Sequence, residues 1–289
     1  MVLSTPLQRF FVGLCVYFLA IFLISAFLSP PVFTLVDGLF PDRWPFKRVF
    51  NRVLMLSALF LLFPLLRYWG VRSWQKVGLR RWDLIPRVVP IWIGVGFLSL
   101  GILVVVRMLA GIYVWEYELE WDDLLSFAFS GFMVGVLEEI LFRGGFCYAF
   151  SNLGKLGRTL VVISCSTFFA TAHFLKAQPL PGGIHWGAGW LTWVNMLSRF
   201  NEMNTFIAEW VSLFLVSVVL CMLVLRQGHL WGAIALHASW VFFLKLTYKL
   251  TATADASQQL WFGAEVLSGL STCLMLLLLL GIILYARRI

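Results

Sequence analysis

Charged residues are scarce in this chain: they make up 12% of its 289 residues, whereas 61% are hydrophobic. A soluble protein of this length could not bury that much apolar surface. The apolar residues fall in continuous runs of about 20, the length that crosses the hydrocarbon core of a bilayer. In lipid, every backbone polar group must be paired within the protein, and the runs do not alternate as barrel strands would. We therefore predict an all-α, polytopic membrane bundle of about eight transmembrane helices.

Cysteine is also sparse, and the common signatures of disulfide and metal sites are missing. The five cysteines all lie in apolar runs and form no C-x-x-C pair, so they predict neither a disulfide framework nor a metal site. The chain has no H-E-x-x-H motif, the common zinc-protease signature. Its net charge is +8, but the basic residues lie in short loops and at helix ends. Membrane orientation explains that distribution better than nucleic-acid binding, so we expect no nucleic-acid partner.

The distribution of positive charge also predicts the orientation of the spans. Positively charged loops stay in the cytoplasm, and the stretch from residue 67 to residue 87 carries six Lys and Arg residues. Placing this stretch inside puts both termini inside, and we expect a multi-pass protein of the bacterial inner membrane. Arg107, near the outer end of the third span, is expected to extend to the membrane surface. The eight predicted spans are residues 10–28, 49–66, 88–110, 124–150, 160–178, 205–225, 230–248 and 265–286.

The chain has 14 acidic residues, and only two of them lie near the centre of a predicted span. Glu138 and Glu139 are adjacent, and Arg143 is four residues after the second. Ionisable groups at this depth cost about 2.5–3.5 kcal/mol each and usually carry function. On a helix, Glu139 can pair with Arg143, while Glu138 is turned by about 100° and can face a cavity. The alternative is a buried ion pair that only joins two helices.

Two of the four histidines lie inside predicted spans: His173 in the fifth and His237 near the start of the seventh. A single histidine in an apolar helix is more often a hydrogen-bonded core residue. Two of them, with a carboxylate pair on a third helix, predict activation of a water molecule. The carboxylate takes the proton of the water, and the imidazoles orient the water or polarise a carbonyl. The same side chains could instead bind zinc through two nitrogens and one carboxylate.

These residues lie in three motifs whose order resembles that of the CPBP (Abi) family, which contains the type II CAAX prenyl endopeptidases. The motifs are Glu138-Glu139-x-x-x-Arg143, Phe169-x-x-x-His173, and His237 after Leu230-Trp231-Gly232. The resemblance covers about residues 70 to 250. It divides the chain into N-terminal transmembrane helices (1–70), a protease core (71–250) and a C-terminal transmembrane helix (251–289).

What the resemblance implies is a glutamate-type intramembrane endopeptidase. Glu138 would be the general base for the attacking water, and His173 and His237 would hold that water or stabilise the oxyanion. Three further residues would support the site: Glu139, Arg143 and Phe169. Such a mechanism requires no cofactor; if zinc is bound, its ligands would be Glu138, His173 and His237. The expected partners are the lipid bilayer and a substrate that is a membrane-embedded or lipid-modified protein.

One position departs from the pattern of the family. The fourth residue after His237 is Val241, where the family has Asn or Asp, whose side chain helps to stabilise the oxyanion. Losing one such donor costs other hydrolases about 10²–10³ in rate. Either Asn195, His185 or Arg143 supplies the missing donor, or the chain is a weak or inactive relative that acts as a membrane binding, immunity or scaffold protein. A transporter or proton relay is a third alternative. The chain lacks the broken spans in two symmetric halves that many transporter folds have, and this argues against it.

Overall fold

The computed structural model of the protein describes residues 6–116, 118–149, 154–175, 177–180, 183–198, 203–254, 259–263, 266–267 and 269–285. Regular structure in these residues is almost entirely helical, which confirms the predicted all-α class. The helices are α1 (Pro6–Leu39), α2 (Phe46–Tyr68), α3 (Ile85–Leu109), α4 (Trp121–Glu138), α5 (Gly145–Ala149), α6 (Gly154–Ala172), α7 (Ala188–Ser198), α8 (Met203–Gln227), α9 (Trp231–Leu250), α10 (Gln259–Phe262) and α11 (Leu270–Tyr285). Two three-residue strands, β1 (Tyr113–Trp115) and β2 (Thr251–Thr253), pair antiparallel and join the ends of α3 and α9.

Within the described residues, five helical stretches are long and apolar enough to cross a membrane. They are Gln8–Leu39, Phe46–Tyr68, Trp82–Leu109, Trp121–Tyr148 and Ile207–Gln227. The other three predicted spans contain the helices α6, α9 and α11. α11 has 16 residues and is shorter than a typical span, and polar side chains interrupt α6 and α9. The chain therefore has the helices of a membrane bundle, and the crossing of these last three stays a prediction.

The chain divides into two compact units. The first unit consists of Met1–Arg72 and Thr171–Phe206. The second unit consists of Ser73–Ala170 and Ile207–Ile289. Both carboxylates of the predicted site lie in the second unit.

In the first unit, α1 packs along α2 and α7. The contact with α7 is close because Gly189 has no side chain: a Cβ atom there would overlap the carbonyl group of Ala26. Trp193, also on α7, donates a hydrogen bond from Nε1 to Ser25 Oγ at 2.9 Å. A small residue and a polar contact thus join two apolar helices, which is typical of helices that pack in lipid.

In the second unit, α9 packs against both α3 and α4. Gly131 and Gly135 of α4 face α9. An added Cβ would lie 2.6 Å from the carbonyl oxygen of Ala238 at the first glycine and 3.0 Å from that of Ile234 at the second. Gly96 of α3 also lies against α9. Small residues on both neighbours therefore let α9 pack tightly between them.

The basic stretch before α3 is attached to the turn between α8 and α9. The Leu230 N–H donates to the carbonyl oxygen of Gly78 at 3.0 Å, and the φ of 94° at Gly78 is a conformation that favours glycine. Arg80 Nε donates to the carbonyl oxygen of Gly228 at 2.6 Å. Trp231 Nε1 donates to the carbonyl oxygen of Arg80 at 2.7 Å. These bonds fix the start of α9, the helix that carries one of the predicted site histidines.

The prediction for Arg107 is wrong, because its side chain does not extend to the surface. Arg107 is fully buried, and its Nη2 donates to the carbonyl oxygen of Phe262 at 2.5 Å and to Thr272 Oγ1 at 3.3 Å. Its guanidinium also lies 5.9 Å from the ring centroid of Tyr113. Acceptors from the C-terminal segment bind Nη2 inside the protein, and the guanidinium does not reach the polar headgroups.

We expect Gly131→Ala to destabilise the protein by about 1–3 kcal/mol, because the new Cβ meets backbone atoms that cannot rotate away. The melting temperature of the purified protein in detergent micelles measures this effect. Gly94 on α3 provides the matched control, since no atom of the described residues lies within 4 Å of a Cβ added there. Gly94→Ala should leave the melting temperature unchanged or raise it slightly. Equal melting temperatures for the two variants would contradict the close packing of α4 on α9.

Candidate active site

α4 changes its helical geometry at the predicted pair of carboxylates. It ends at Glu138, and Glu139–Gly144 forms a π-helical segment before α5 begins. Within the predicted span of residues 124–150, the described residues 124–149 are therefore helical but do not form one regular α-helix. Gly144 closes the π-helical segment, and a Cβ there would lie 2.9 Å from the carbonyl oxygen of Val77. Turns of this kind are rare and are frequently found at functional sites.

Glu139 is the shared acceptor at the centre of the site. Its side chain is fully buried, and its Oε1 accepts a hydrogen bond from Arg143 Nη1 at 2.8 Å. The ion pair expected from the spacing of four residues is therefore present. The same oxygen lies 2.8 Å from His237 Nδ1 on α9. Because a carboxylate beside an arginine only accepts hydrogen bonds, Nδ1 carries the proton in this contact.

Arg143 makes two further contacts that fix its position. Its Nη2 donates to Ser217 Oγ on α8 at 2.8 Å, and its guanidinium lies 4.5 Å from the ring centroid of Phe169 on α6. The ring of Phe169 also packs edge-on against His237, with 5.8 Å between the ring centroids. Sequence reasoning missed Ser217. The signal that could have found it is a hydroxyl group within the apolar run of α8, because such groups commonly bond across helices in lipid.

Glu138 is placed differently from its neighbour. Its side chain is 30% exposed, whereas that of Glu139 is 0% exposed. Its Oε2 lies 3.9 Å from His237 Nε2, which is longer than a direct hydrogen bond. The buried carboxylate of Glu139 thus holds the imidazole at Nδ1, and Nε2 faces the carboxylate of Glu138. This arrangement suits the transfer of a proton to or from a group that lies against both side chains.

The sequence predicted that His173 lies within the helix of the fifth span, but the structure places it just after that helix. α6 ends at Ala172, and His173 lies in the turn that follows, where Phe174 N–H donates to the carbonyl oxygen of Thr171 at 3.2 Å. Such bonds between residues three apart are typical of a helix end. The second unit brings together Glu138, Glu139, Arg143, Phe169 and His237. His173 belongs to the first unit, and its part in the site stays a prediction.

Val241 lies one helical turn after His237 on α9, half-buried, and its side chain has no hydrogen-bond donor. Ser239 does not replace the missing amide, because its hydroxyl is buried and donates to a carbonyl oxygen of its own helix at 2.7 Å. The terminal nitrogens of Arg143 already donate to Glu139 and Ser217. His185 and Asn195 lie in the first unit, so the substitute donor is not assigned.

Metal ligation was the alternative use of these side chains. The part of the chain that the structure describes contains no group of three His, Cys, Asp or Glu residues arranged to hold a metal ion. Zinc bound by Glu138, His173 and His237 therefore stays a prediction. In the second unit, the carboxylate of Glu138 lies beside the imidazole of His237, an arrangement that suits proton transfer.

We expect Arg143→Met to destabilise the protein by about 3–5 kcal/mol, because it leaves the charge of Glu139 buried without its partner. In the double variant with Glu139→Gln, the loss should be clearly smaller than the sum of the two single losses. A double-mutant cycle of unfolding free energies in detergent measures the coupling, which we expect to exceed about 1 kcal/mol. Additive losses would show that the pair does not stabilise the fold.

Comparison with known proteins bears on the same residues. Residues 120–243 match the family model described as type II CAAX prenyl endopeptidase Rce1-like. No curated protein and no solved structure matches the chain. The matched segment contains all three predicted motifs, from the carboxylate pair to His237. Residues 120–243 of the chain are therefore similar to the Rce1-like type II CAAX prenyl endopeptidases.

Proposed function

We propose that this protein is an intramembrane endopeptidase that hydrolyses a peptide bond in a membrane-embedded or membrane-anchored protein. One observation carries the proposal: Glu138, whose side chain is partly exposed, has its Oε2 3.9 Å from His237 Nε2, while Glu139 holds Nδ1 of the same imidazole. The match of residues 120–243 to the model of a protease family supports the assignment. A carboxylate and an oriented imidazole are the groups that water activation requires.

In the proposed reaction, Glu138 takes a proton from a water molecule, whose oxygen attacks the carbonyl carbon of the scissile bond. His237, with its unprotonated Nε2 turned toward Glu138, orients the water by accepting a hydrogen bond from it. The C–N bond breaks as Glu138 returns its proton to the leaving nitrogen. On the resemblance to the family, His173 would serve as the second imidazole. No metal ion is needed for any of these steps.

The proposed setting is a bacterial inner membrane, with both termini in the cytoplasm. Five helices of the described residues have the length and hydropathy of membrane spans. The basic stretch before α3, which is attached to the turn between α8 and α9, supports a cytoplasmic position for that end of the bundle. The substrate would then reach Glu138 from within the bilayer or from its surface.

A second candidate function is non-catalytic binding of a membrane partner, as an immunity or scaffold protein. Val241 favours it, because its side chain cannot donate the hydrogen bond that the family places at this position. A protein of this kind would keep the ion pair of Glu139 and Arg143 for stability and would not depend on Glu138. The two functions therefore differ in what they predict for one side chain.

We expect Glu138→Gln to abolish processing of the substrate while the protein stays folded, because the amide cannot accept the proton of the water. Mass spectrometry of protein termini measures this processing. It compares cells that express the wild type with cells that express Glu138→Gln at a matched level. A precursor should accumulate only with Glu138→Gln, and Glu118→Gln in the loop before α4 should behave as wild type. Unchanged processing by Glu138→Gln would refute the protease and favour the binding function.

We also expect proteolysis to persist when metal ions are removed. The purified protein, dialysed against a zinc chelator in detergent, should keep its rate on a substrate found by that comparison. Elemental analysis of protein purified without added metal should find far less than one zinc per chain. Stoichiometric zinc, lost together with activity on chelation, would contradict the metal-free mechanism.

A further inference from the structure

A groove lies along α1 and α2 of the first unit, near the turn that joins the two helices. Its volume is about 460 Å³, within the range of about 300–1,000 Å³ that small-molecule sites occupy. Val32 and Val36 of α1 form one wall. The other side chains that line the groove come from the first part of α2 and from Trp44 just before it. None of the residues proposed for catalysis lines this groove.

Two neighbouring rows of α2 residues give the groove a charged edge and an apolar floor. Residues four apart lie along one ridge of an α-helix. Arg48, Arg52 and Leu56 form the exposed row, and Val49 and Val53 form the buried row beside it. The two arginines are therefore one helical turn apart, about 6 Å along the axis. Apart from the arginines and one tryptophan, every side chain that lines the groove is aliphatic.

The two arginines lie at the end of α2 where membrane orientation does not account for positive charge. α2 has 23 residues and is long and apolar enough to cross a membrane. Its last turn carries Arg67, where the stretch that we predict to be cytoplasmic begins. Arg48 and Arg52 are near the other end of the helix, on the predicted outer side, where Lys and Arg are less frequent. Their presence there requires a reason other than orientation.

The described part of the chain supplies no counter-charge for this pair. No carboxylate of the described residues forms an ion pair with Arg48 or Arg52. The acidic residues near the turn contact each other, because Asp42 N–H donates to Asp37 Oδ1 at 3.1 Å. Two guanidinium groups one turn apart present several N–H donors, which suit the oxygens of a phosphate group. The charged edge of the groove is therefore complementary to an anion from outside the chain.

We propose that the groove binds an anionic phospholipid. The headgroup phosphate lies against Arg48 and Arg52, and an acyl chain extends along the valines and Leu56 toward the middle of α2. An amphiphile fits because the groove is charged toward the membrane surface and apolar toward the bilayer centre. Trp44 marks the headgroup level, where tryptophan side chains are enriched. Such a lipid would hold the start of α2 at the membrane surface, and its binding does not depend on the proposed protease function.

Lys47 provides a matched control for both arginines. It is exposed at the start of the same helix, but it does not line the groove. Lys47→Met therefore removes the same charge as Arg48→Met or Arg52→Met without changing the proposed site. A general attraction between a basic protein and anionic headgroups would respond equally to all three substitutions, whereas a built site responds only to the two in the groove.

The first test measures phosphatidylglycerol binding to the purified protein in neutral detergent by native mass spectrometry, with phosphatidylcholine of the same acyl chains as the comparison. We expect the wild type to prefer phosphatidylglycerol by about tenfold or more, because the net charge of its headgroup is negative. Arg48→Met and Arg52→Met should each weaken binding about tenfold. Lys47→Met should change it by less than about twofold. No preference for phosphatidylglycerol, or equal effects of the three substitutions, would overturn the inference.

The same measurement separates a lipid site from a site for a free phosphate. Glycerophosphoglycerol carries the headgroup of phosphatidylglycerol without its acyl chains. We expect it to bind at least about a hundredfold more weakly, because the apolar floor of the groove then stays uncovered. Binding as tight as that of phosphatidylglycerol would show that the arginines recognise a phosphate alone, and would overturn the assignment to a lipid.

A second test needs no variant, so a folding defect cannot affect it. A phosphatidylglycerol with a photoreactive diazirine in one acyl chain is irradiated with the wild-type protein, and the labelled peptides are identified by mass spectrometry. We expect labels on the groove residues of α1 and α2. Excess unlabelled phosphatidylglycerol should remove these labels, and phosphatidylcholine should not. Labels spread evenly over the apolar helices, with no loss on competition, would overturn the inference.

Discussion

The buried carboxylate of Glu139 is the interaction on which the rest of the site depends. A buried charge is tolerated only when it is paired and hydrogen-bonded, and Arg143 and His237 both contact the same oxygen. The first contact lies within one helix, and the second joins the end of α4 to α9. Together they turn the imidazole so that its other nitrogen faces Glu138. One carboxylate thus organises the site, and the other, that of Glu138, stays partly exposed.

The packing of α4 on α9 extends this organisation along both helices. Gly131 and Gly135 bring the two backbones together, because a side chain at either position would meet backbone atoms of α9. A second polar contact joins the same two helices, where Lys245 Nζ donates to Ser130 Oγ at 2.5 Å. The same close packing therefore holds together the two helices that carry Glu138, Glu139 and His237.

Features set by local spacing could be predicted from the sequence, and features set by distant contacts could not. Apolar runs predicted the helices, and a spacing of four predicted the ion pair of Glu139 with Arg143. The burial of Arg107 depends on an acceptor 155 residues away, which no local pattern reveals. Ser217 and the π-helical segment likewise depend on how the helices pack. The fifth predicted span placed His173 within a helix, but α6 ends one residue before it, at Ala172.

The account rests most directly on the orientation of the imidazole of His237, which ¹⁵N NMR of protein labelled at histidine can report. A sample with His237→Gln would assign the signal among the four histidines. We predict that the neutral ring carries its proton on Nδ1, where Glu139 accepts it, and that Nε2 is unprotonated and faces Glu138. Loss of this tautomer in Glu139→Gln would agree with that arrangement. A proton on Nε2 in the wild-type protein would contradict it, because Nδ1 could then not donate to the buried carboxylate.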